Sequence, residues 1–299
     1  LYLRRAGEQA AERFSNAEAV GYLSRALDLT PEDNLMERYA LLLAREKVYD
    51  LQGMREAQAR DLAALEELAE GLDDDVRRAE AALRQANYAD MTGDYPAAIA
   101  TARTAVGLAQ KVGDTNQEAA AYMRWGGTLW RQGKYEAAKD RLEQALALAQ
   151  AASVRRVEAD SLRYLGLVSW NQGDHSGAGT YFEQALHIYR EIGDRRYESG
   201  TLNNLGLISI EQGNSAEGRR YCEQALQIFR DIGERRGEGL LLGNLGVLYD
   251  QQGNYAQART YYEQSLRIRR EIDDRIGECM ALTNMGLLFH NLGDDEAAK

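Results

Sequence analysis

The sequence predicts an all-α protein, a right-handed solenoid of antiparallel helix pairs, and two observations carry that prediction. Glycines recur every 40 residues without a slip, which is the spacing of an array whose units bury their apolar faces against one another. Each interval also holds two stretches with apolar residues three or four positions apart, the period of an amphipathic helix. The glycines in this register are Gly53, Gly93, Gly133, Gly173, Gly213, Gly253 and Gly293.

Residues 154–193 show how one repeat is built. Leu162 and Leu165 begin an apolar stripe on a first helix, Gly166 leaves a notch in it, and Gly173 ends the helix. Small and large apolar residues alternate on the second helix, so that the two helices can approach closely. These are Ala178, Phe182, Ala185, Leu186, Tyr189 and Ile192. We therefore expect a helix A and a helix B in each repeat.

The notch glycine recurs in the middle of helix A. A mid-helix glycine costs about 1 kcal/mol relative to alanine, so four recurrences need a reason. We interpret them as contact points where the partner helix leaves room for hydrogen alone, and assign them no functional role. They are Gly166, Gly206, Gly246 and Gly286.

The elements are expected to form one continuous array over residues 1–299. Residues 1–32 form a first helix pair, with helices predicted from Leu1 to Phe14 and from Ser15 to Leu29. Residues 33–93 are less regular, as the end units of an array often are; Glu46 and Ala86 stand where later units carry glycine. Regular repeats fill 94–293, and 294–299 begin a further helix. We expect this chain to be part of a longer protein.

The composition of the chain argues against several classes of binding partner. The net charge of −11 argues against nucleic acid as a partner, because that binding draws on clustered Lys and Arg. No apolar run approaches the roughly 18 residues of a membrane span, so no membrane partner is expected. Cys222 and Cys279 lie far apart, which predicts neither a disulfide framework nor a metal site and fits a cytoplasmic protein.

Motifs for chemistry are missing from the sequence. His175, His187 and His290 have no metal-ligand partners at recurring spacing, and no glycine cluster precedes a Lys-Ser/Thr pair as a phosphate loop requires. We therefore expect neither an enzyme nor a cofactor, and place any catalytic activity outside these residues. Arg195-Arg196 and Arg235-Arg236 are interpreted as solvated ion pairs with nearby glutamates.

The repeat unit resembles the tetratricopeptide repeat. The matching features are Leu205-Gly206 in helix A, the turn Gly253-Asn254-Tyr255, and the small-large-small set Ala258, Tyr262 and Ser265. The period exceeds that family's usual 34 or so residues, which is similar to the subgroup of kinesin light chain and LGN-type adaptors. The opening stretch from Ala6 to Ala19 also resembles the arrays that follow the ATPase module of bacterial signal-transduction ATPases. The resemblance implies a scaffold and leaves the ligand open.

Asparagines recur in the middle of helix A, where packing does not explain them. Asn204, Asn244 and Asn284 stand 40 residues apart, although asparagine is a poor helix-interior residue. In the related repeat proteins helix A lines the concave surface, and an asparagine ladder there holds a peptide backbone; the resemblance implies the same here. Other residues expected on that surface are Asn171, Gln251, Asn291, Arg124, Arg131, Tyr164, Trp130, Trp170, Asp250 and His290.

Two alternatives stay open at this point. The amides could instead bridge neighbouring A helices and hold the repeats in register. The whole array could also serve as a spacer or a self-association module that forms homo-oligomers through its exposed ends. Our favoured hypothesis is a scaffold or sensor region of a larger regulatory protein that binds a peptide or an extended protein segment.

Overall fold

The computed structural model describes residues 2–12 and 16–292 of the chain. In those two ranges it contains fifteen α-helices and no strand, which confirms the all-α class. The helices are α1 (Tyr2–Glu12), α2 (Asn16–Asp28), α3 (Leu35–Gln52), α4 (Arg55–Gly71), α5 (Asp75–Met91), α6 (Tyr95–Val112), α7 (Thr115–Arg131), α8 (Tyr135–Ala151), α9 (Arg155–Asn171), α10 (His175–Glu191), α11 (Arg195–Glu211), α12 (Ser215–Asp231), α13 (Arg235–Gln251), α14 (Tyr255–Glu271) and α15 (Arg275–Asn291).

The predicted first helices, Leu1 to Phe14 and Ser15 to Leu29, correspond to α1 and α2. Leu1, Phe14 and Ser15 themselves lie outside the described residues, as do Gly293 and the helix predicted for 294–299. From α3 onward the odd-numbered helices are the predicted A helices and the even-numbered ones the B helices.

The helices end where the chain turns through a left-handed backbone conformation. Gly253, between α13 and α14, has φ +73°, a value that glycine adopts without steric cost. From α4 onward the same conformation recurs at the connection from each B helix to the next A helix, where Asp73, Ser153 and Asp273 adopt it without being glycine. A turn therefore falls every 20 residues, which produces the 40-residue period of a helix pair.

The chain divides into two compact units, residues 1–157 and 158–299. In the first unit, each A helix packs against the B helix that follows it, from α1 and α2 to α7 and α8. In the second unit α11 packs on α12 and α13 on α14, while α15 contacts both α14 and α13. One continuous array over all 299 residues remains a prediction.

The notch glycines of the second unit lie against large side chains of the paired B helix. A Cβ on Gly166 would stand 2.7 Å from a ring carbon of Phe182, and one on Gly246 would stand 2.4 Å from a ring carbon of Tyr262. Gly206 meets the sulfur of Cys222 in the same way. The interpretation as contact points is confirmed for Gly166, Gly206 and Gly246, while the helix predicted to pair with Gly286 lies outside the described residues.

In the first unit Gly126 meets Leu142 in the same way, whereas α3 fills the equivalent position with a buried polar network. Glu46 occupies the notch position of α3 and is completely buried. Its carboxylate accepts hydrogen bonds from Gln58 Nε2 (2.8 Å), on α4, and from Arg84 Nε (2.6 Å), on α5. Burial raises the pKa of the Glu46 carboxyl, and the positive charge of Arg84 opposes that shift.

Candidate functional site

The A helices of the second unit expose a stripe of side chains on one face. On α11 the accessible positions include Arg196, Gly200, Asn204, Leu207 and Glu211. At about 100° per residue these five positions fall within about 80° of one another around the helix axis. We call this surface the A face, defined on α11 by those residues and on α13 and α15 by the residues 40 and 80 positions later.

The three predicted asparagines all lie half-buried on the A face but differ in their partners. Asn244 Nδ2 donates a hydrogen bond to Asn203 Oδ1 of the neighbouring A helix, at 2.8 Å. Within the described part of the chain, the amides of Asn204 and Asn284 have no side-chain or backbone partner. The bridging interpretation therefore describes Asn244, while Asn204 and Asn284 keep their donors and acceptors available.

Sequence reasoning missed Asn203. This residue is buried, and its side chain is the acceptor that ties α11 to α13. The signal was present, because Asn203 lies next to Asn204, 41 positions before Asn244. Residues 37 to 41 positions apart recur in such bridges between successive A helices.

A second bridge of this kind involves Trp170. Its indole Nε1–H donates to Glu211 Oε2 at 2.7 Å, which joins the ends of α9 and α11. The Nδ1 atom of His175 lies 3.2 Å from the same carboxylate oxygen. Trp170 is half-buried and packs on the core of this unit, so its ring has both a structural contact and an accessible edge.

Tyr164 and Asn171 are placed differently from each other. Tyr164 is buried, and the guanidinium carbon of Arg163 lies 4.4 Å from the centre of its ring, a cation–π contact. Asn171 is exposed at the end of α9.

The C-terminal ends of α13 and α15 hold four of the predicted residues. Gln251 is exposed, and its amide has no partner among the described side chains. Asp250 is half-buried, with Oδ1 shielded from solvent and without a hydrogen-bond partner. Burial and then the charge of Asp250 raise the pKa of the Tyr262 hydroxyl to about 12. His290 is exposed, and the side chain of Asn291 lies outside the described residues.

Arg124, Trp130 and Arg131 belong to the first unit. Arg131 Nε lies 3.2 Å from Oδ2 of the buried Asp90, and Thr128 Oγ1 donates to the other oxygen of that carboxylate at 3.0 Å. Arg124 and Trp130 are half-buried, and Nε of Arg124 is shielded from solvent without a hydrogen-bond partner. Arg131 is therefore occupied by a bridge from α7 to α5.

The arginine pairs at the repeat boundaries divide into two roles. Arg195 and Arg190 both contact the carboxylate of Glu198, and Arg235 and Arg230 contact Glu238 in the same way. The arginines are about half exposed, but the two glutamate side chains are 6% and 9% exposed. The sequence interpretation as ion pairs is confirmed for Arg195 and Arg235, although their carboxylates are buried and not solvated.

The comparison with protein families decides the identity of the repeat. The family model described as Tetratricopeptide repeat matches residues 117–191 and 197–271, which together make up half of the chain. This chain is a tetratricopeptide repeat protein. The predicted resemblance to that family is confirmed, and the match covers helices of both compact units. No curated protein matches the chain significantly.

Solved structures with the same fold share little sequence with this repeat protein. The apo form of the quorum sensor NprR from B. thuringiensis is 14% identical with a TM-score of 0.77, over 99% of this chain and 83% of that one. A Rap protein complexed with Competence and Sporulation Factor is 13% identical with a TM-score of 0.64, over 98% of each chain. At such identities the likeness establishes the fold alone.

A third structure bears on the predicted resemblance to signal-transduction ATPases. It is a Signal Transduction ATPase with Numerous Domains from Pyrococcus horikoshii, described as having a tetratricopeptide repeat sensor. The identity is 14% and the TM-score 0.67, and the match covers 94% of this chain but 44% of that protein. The repeat array here therefore corresponds in fold to part of that larger protein.

The described residues of this repeat protein meet the requirements of neither a metal site nor a membrane-spanning helix. They contain no group of three or more His, Cys, Asp or Glu side chains that could hold a metal ion. His187 Nε2 lies 3.0 Å from Glu191 on its own helix. Over residues 2–12 and 16–292, none of the helices is long and apolar enough to cross a bilayer. Tetratricopeptide repeats are in general non-catalytic interaction scaffolds.

Proposed function

We propose that this repeat protein is a non-catalytic scaffold whose A face binds an extended peptide, as the sensor or adaptor region of a larger regulatory protein. The observation that carries the proposal is the pair Asn204 and Asn284. These two half-buried amides at equivalent positions have a helix propensity penalty and no hydrogen bond to offset it.

An asparagine side chain can form the hydrogen bonds that an extended peptide would otherwise form with a neighbouring β-strand. Its oxygen accepts a backbone N–H and its nitrogen donates to a backbone C=O, whatever the peptide sequence is. Each such hydrogen bond contributes about 1 kcal/mol net. Gln251 would extend the row of amides at the end of α13.

Apolar side chains lie beside the amides. Leu207 and Val247 are half-buried on the A face, and Leu287 is 57% exposed. An extended peptide laid across α11, α13 and α15 would cover these side chains with its own, adding roughly 25 cal/mol for each Å² of apolar surface removed from water. We propose that amides hold the backbone and that these residues contribute selectivity, together with Trp170, Asp250 and His290.

The structural relatives support a sensing role by analogy. NprR is described as a quorum sensor, the ATPase as having a repeat sensor, and the Rap protein as complexed with a factor. We propose by extension that this array responds to a bound peptide segment. We also propose a cytoplasmic location, on the two free cysteines, with neither nucleic acid nor a membrane as partner.

The proposal is tested by selecting a phage-displayed library of random 12-residue peptides on the purified chain. Enriched peptides are then synthesised and titrated calorimetrically against the wild type, the double variant Asn204→Ala with Asn284→Ala, and the control Gln184→Ala. Gln184 is an exposed amide on the B helix α10. We expect at least tenfold weaker binding for the double variant, from the loss of two hydrogen bonds, and unchanged binding for the control. Failure to enrich any peptide, or equal binding by all three proteins, refutes the proposal.

Self-association is the second candidate, and α15 favours it. Ile276 and Met280 on α15 are exposed apolar side chains; Leu282 is 45% exposed, but the described residues end before the B helix predicted to follow α15. An apolar surface of this kind is a common interface between copies. Sedimentation velocity from 1 to 100 µM tests it: a concentration-dependent dimer that Ile276→Ser abolishes supports this role, and a monomer throughout excludes it.

A further inference from the structure

In the pairs Arg195-Arg196 and Arg235-Arg236 the second arginine is not part of an ion pair. Arg195 and Arg235 are held by Glu198 and Glu238. Arg196 and Arg236 follow them directly, are exposed, and have no acidic partner within the described part of the chain. The sequence does not distinguish the two arginines of a pair, and the structure does.

Helix geometry explains the separation. Successive residues on an α-helix point about 100° apart, so Arg195 and Arg196 cannot face the same neighbour. Arg195 points toward its own Glu198, three residues later. Arg196 lies on the A face, eight residues before Asn204 and eleven before Leu207.

Arg196 and Arg236 do not stabilise the helices on which they lie. They occupy the second position of α11 and α13, and a positive charge at the start of a helix opposes the helix dipole. They recur at 40-residue spacing on adjacent A helices, in line with the amide row. Two free guanidinium groups in register, on a chain with a net charge of −11, are a local positive feature on an otherwise acidic protein.

On the next A helix, α15, the position equivalent to these arginines carries an apolar side chain. The position equivalent to Arg196 and Arg236 is Ile276 on α15, which is 75% exposed, and the position one turn later is the exposed Met280. Leu240, 40 residues before Met280, is 42% exposed. The border of the A face is therefore cationic on α11 and α13 and apolar on α15.

We infer that the A face takes an acidic peptide, whose Asp or Glu carboxylates pair with Arg196 and Arg236 and whose apolar side chain lies against Leu240, Ile276 and Met280. This inference rests on the proposed function and names its ligand class. Guanidinium groups bind carboxylates through paired N–H donors, so two free arginines select carboxylates over neutral side chains. Nucleic acid is a poor fit, because two cations on an acidic chain give little phosphate binding.

The test uses the same displayed library of random 12-residue peptides, selected in 50 mM salt. Selections are run on the wild type, on Arg196→Gln with Arg236→Gln, and on the charge-reversed Arg196→Glu with Arg236→Glu. The matched control removes two cations elsewhere, with Lys139→Gln and Arg219→Gln on B helices. Circular dichroism melts establish that each variant is folded before selection.

We expect the wild type and the control to enrich peptides with Asp or Glu near an apolar residue, and the charge-reversed variant to enrich Lys or Arg instead. A selected acidic peptide should bind the glutamine variant about tenfold more weakly, and that difference should shrink in 500 mM salt. A fluorescein-labelled 12-nucleotide single strand should bind none of the proteins; tight binding that depends on the two arginines would overturn the peptide assignment.

The result separates the inference from the proposed function. Enriched peptides that need Asn204 and Asn284 but show no acidic preference, and that bind the glutamine variant like wild type, overturn the inference and leave peptide binding in place. A library that yields no binder overturns both.

Discussion

The crossing of helix A and helix B is built in two opposite ways, with glycine at the notch of α13 in the second unit and glutamate at the notch of α3 in the first. In the second unit Gly246 lets the ring of the buried Tyr262 approach the backbone of α13. In the first unit Glu46 stands at that position and meets Gln58 through a hydrogen bond. One crossing is held by close apolar contact and the other by a buried polar network, so the repeat constrains the volume at the notch more than its chemistry.

The two units also differ in whether the polar side chains of their A helices form hydrogen bonds to a neighbouring helix. In the first unit Asn87 donates to Asp50 and Thr128 donates to Asp90, so A-helix polar groups bridge successive helices. In the second unit Asn203 and Asn244 form one such bridge, while Asn204 and Asn284 form none. The free amides of the second unit are the reason we propose it as the peptide-binding region.

We expect the largest loss of stability from a substitution of Glu46, the residue at the polar notch. Glu46→Ala leaves the buried amide of Gln58 and the guanidinium of Arg84 without their shared acceptor. Breaking a buried pair by removing one partner is costly, and we expect the free energy of unfolding to fall by about 3 kcal/mol. Urea denaturation followed by circular dichroism measures it, and a loss below about 1 kcal/mol would show that the network is dispensable.

The apolar notch should be next in sensitivity. Gly246→Ala places a methyl group 2.4 Å from the ring of Tyr262, so the ring or the helix must move. Overpacking of this kind costs about 1 to 3 kcal/mol. The control is Gly243→Ala on the same helix, where the nearest atom is Ser265 Oγ at 3.6 Å. It should gain up to about 1 kcal/mol from helix propensity. Equal effects of the two substitutions would refute the close-contact interpretation.

The two notches should also respond differently to pH. The Glu46 carboxyl has its pKa raised in the folded state, so the folded protein binds the proton more tightly than the unfolded chain does. Its contribution is therefore greatest below the ordinary pKa of about 4.5 and is lost as pH rises through the raised value. We expect the stability of wild type relative to Glu46→Gln to fall as pH rises above 4.5. A flat or rising difference across denaturation curves would contradict this sign.

The smallest effect concerns the amide bridge. A double-mutant cycle with Asn203→Ala and Asn244→Ala should give a coupling energy of about 1 kcal/mol, because each single change removes the same hydrogen bond. The matched pair Asn204→Ala and Asn284→Ala should be additive, since neither amide has a partner to lose. Coupling in the second pair would mean that these amides also serve the fold.

The fold followed from the sequence because its signals are local and repeated. The 40-residue spacing alone predicts that Gly253 lies in a turn and that Gly246 lies at a helix contact. Neither prediction requires knowing which distant residues meet in the fold. Glu46 was recognised as out of pattern, but its partner Arg84 lies on a different helix pair and no short-range rule connects the two.

The site was less predictable for the same physical reason. Spacing placed Asn204, Asn244 and Asn284 on one face, but which amide is bridged depends on the neighbouring side chain, and Asn203 is present in only one of the repeats concerned. Arg195 and Arg196 look equivalent in sequence, and only the direction of each side chain around the helix distinguishes the paired guanidinium from the free one.

The difference between free and bridged amides is tested most directly by calorimetric titration of one library-selected peptide into three proteins. These are the wild type, Asn204→Ala with Asn284→Ala, and Asn87→Ala, which removes a bridging amide of the first unit. We predict at least tenfold weaker binding for the double variant with little change in its melting temperature, and wild-type affinity for Asn87→Ala with a lowered melting temperature. Wild-type affinity in the double variant, or an equal loss in both variants, would contradict the assignment of peptide binding to the free amides of the second unit.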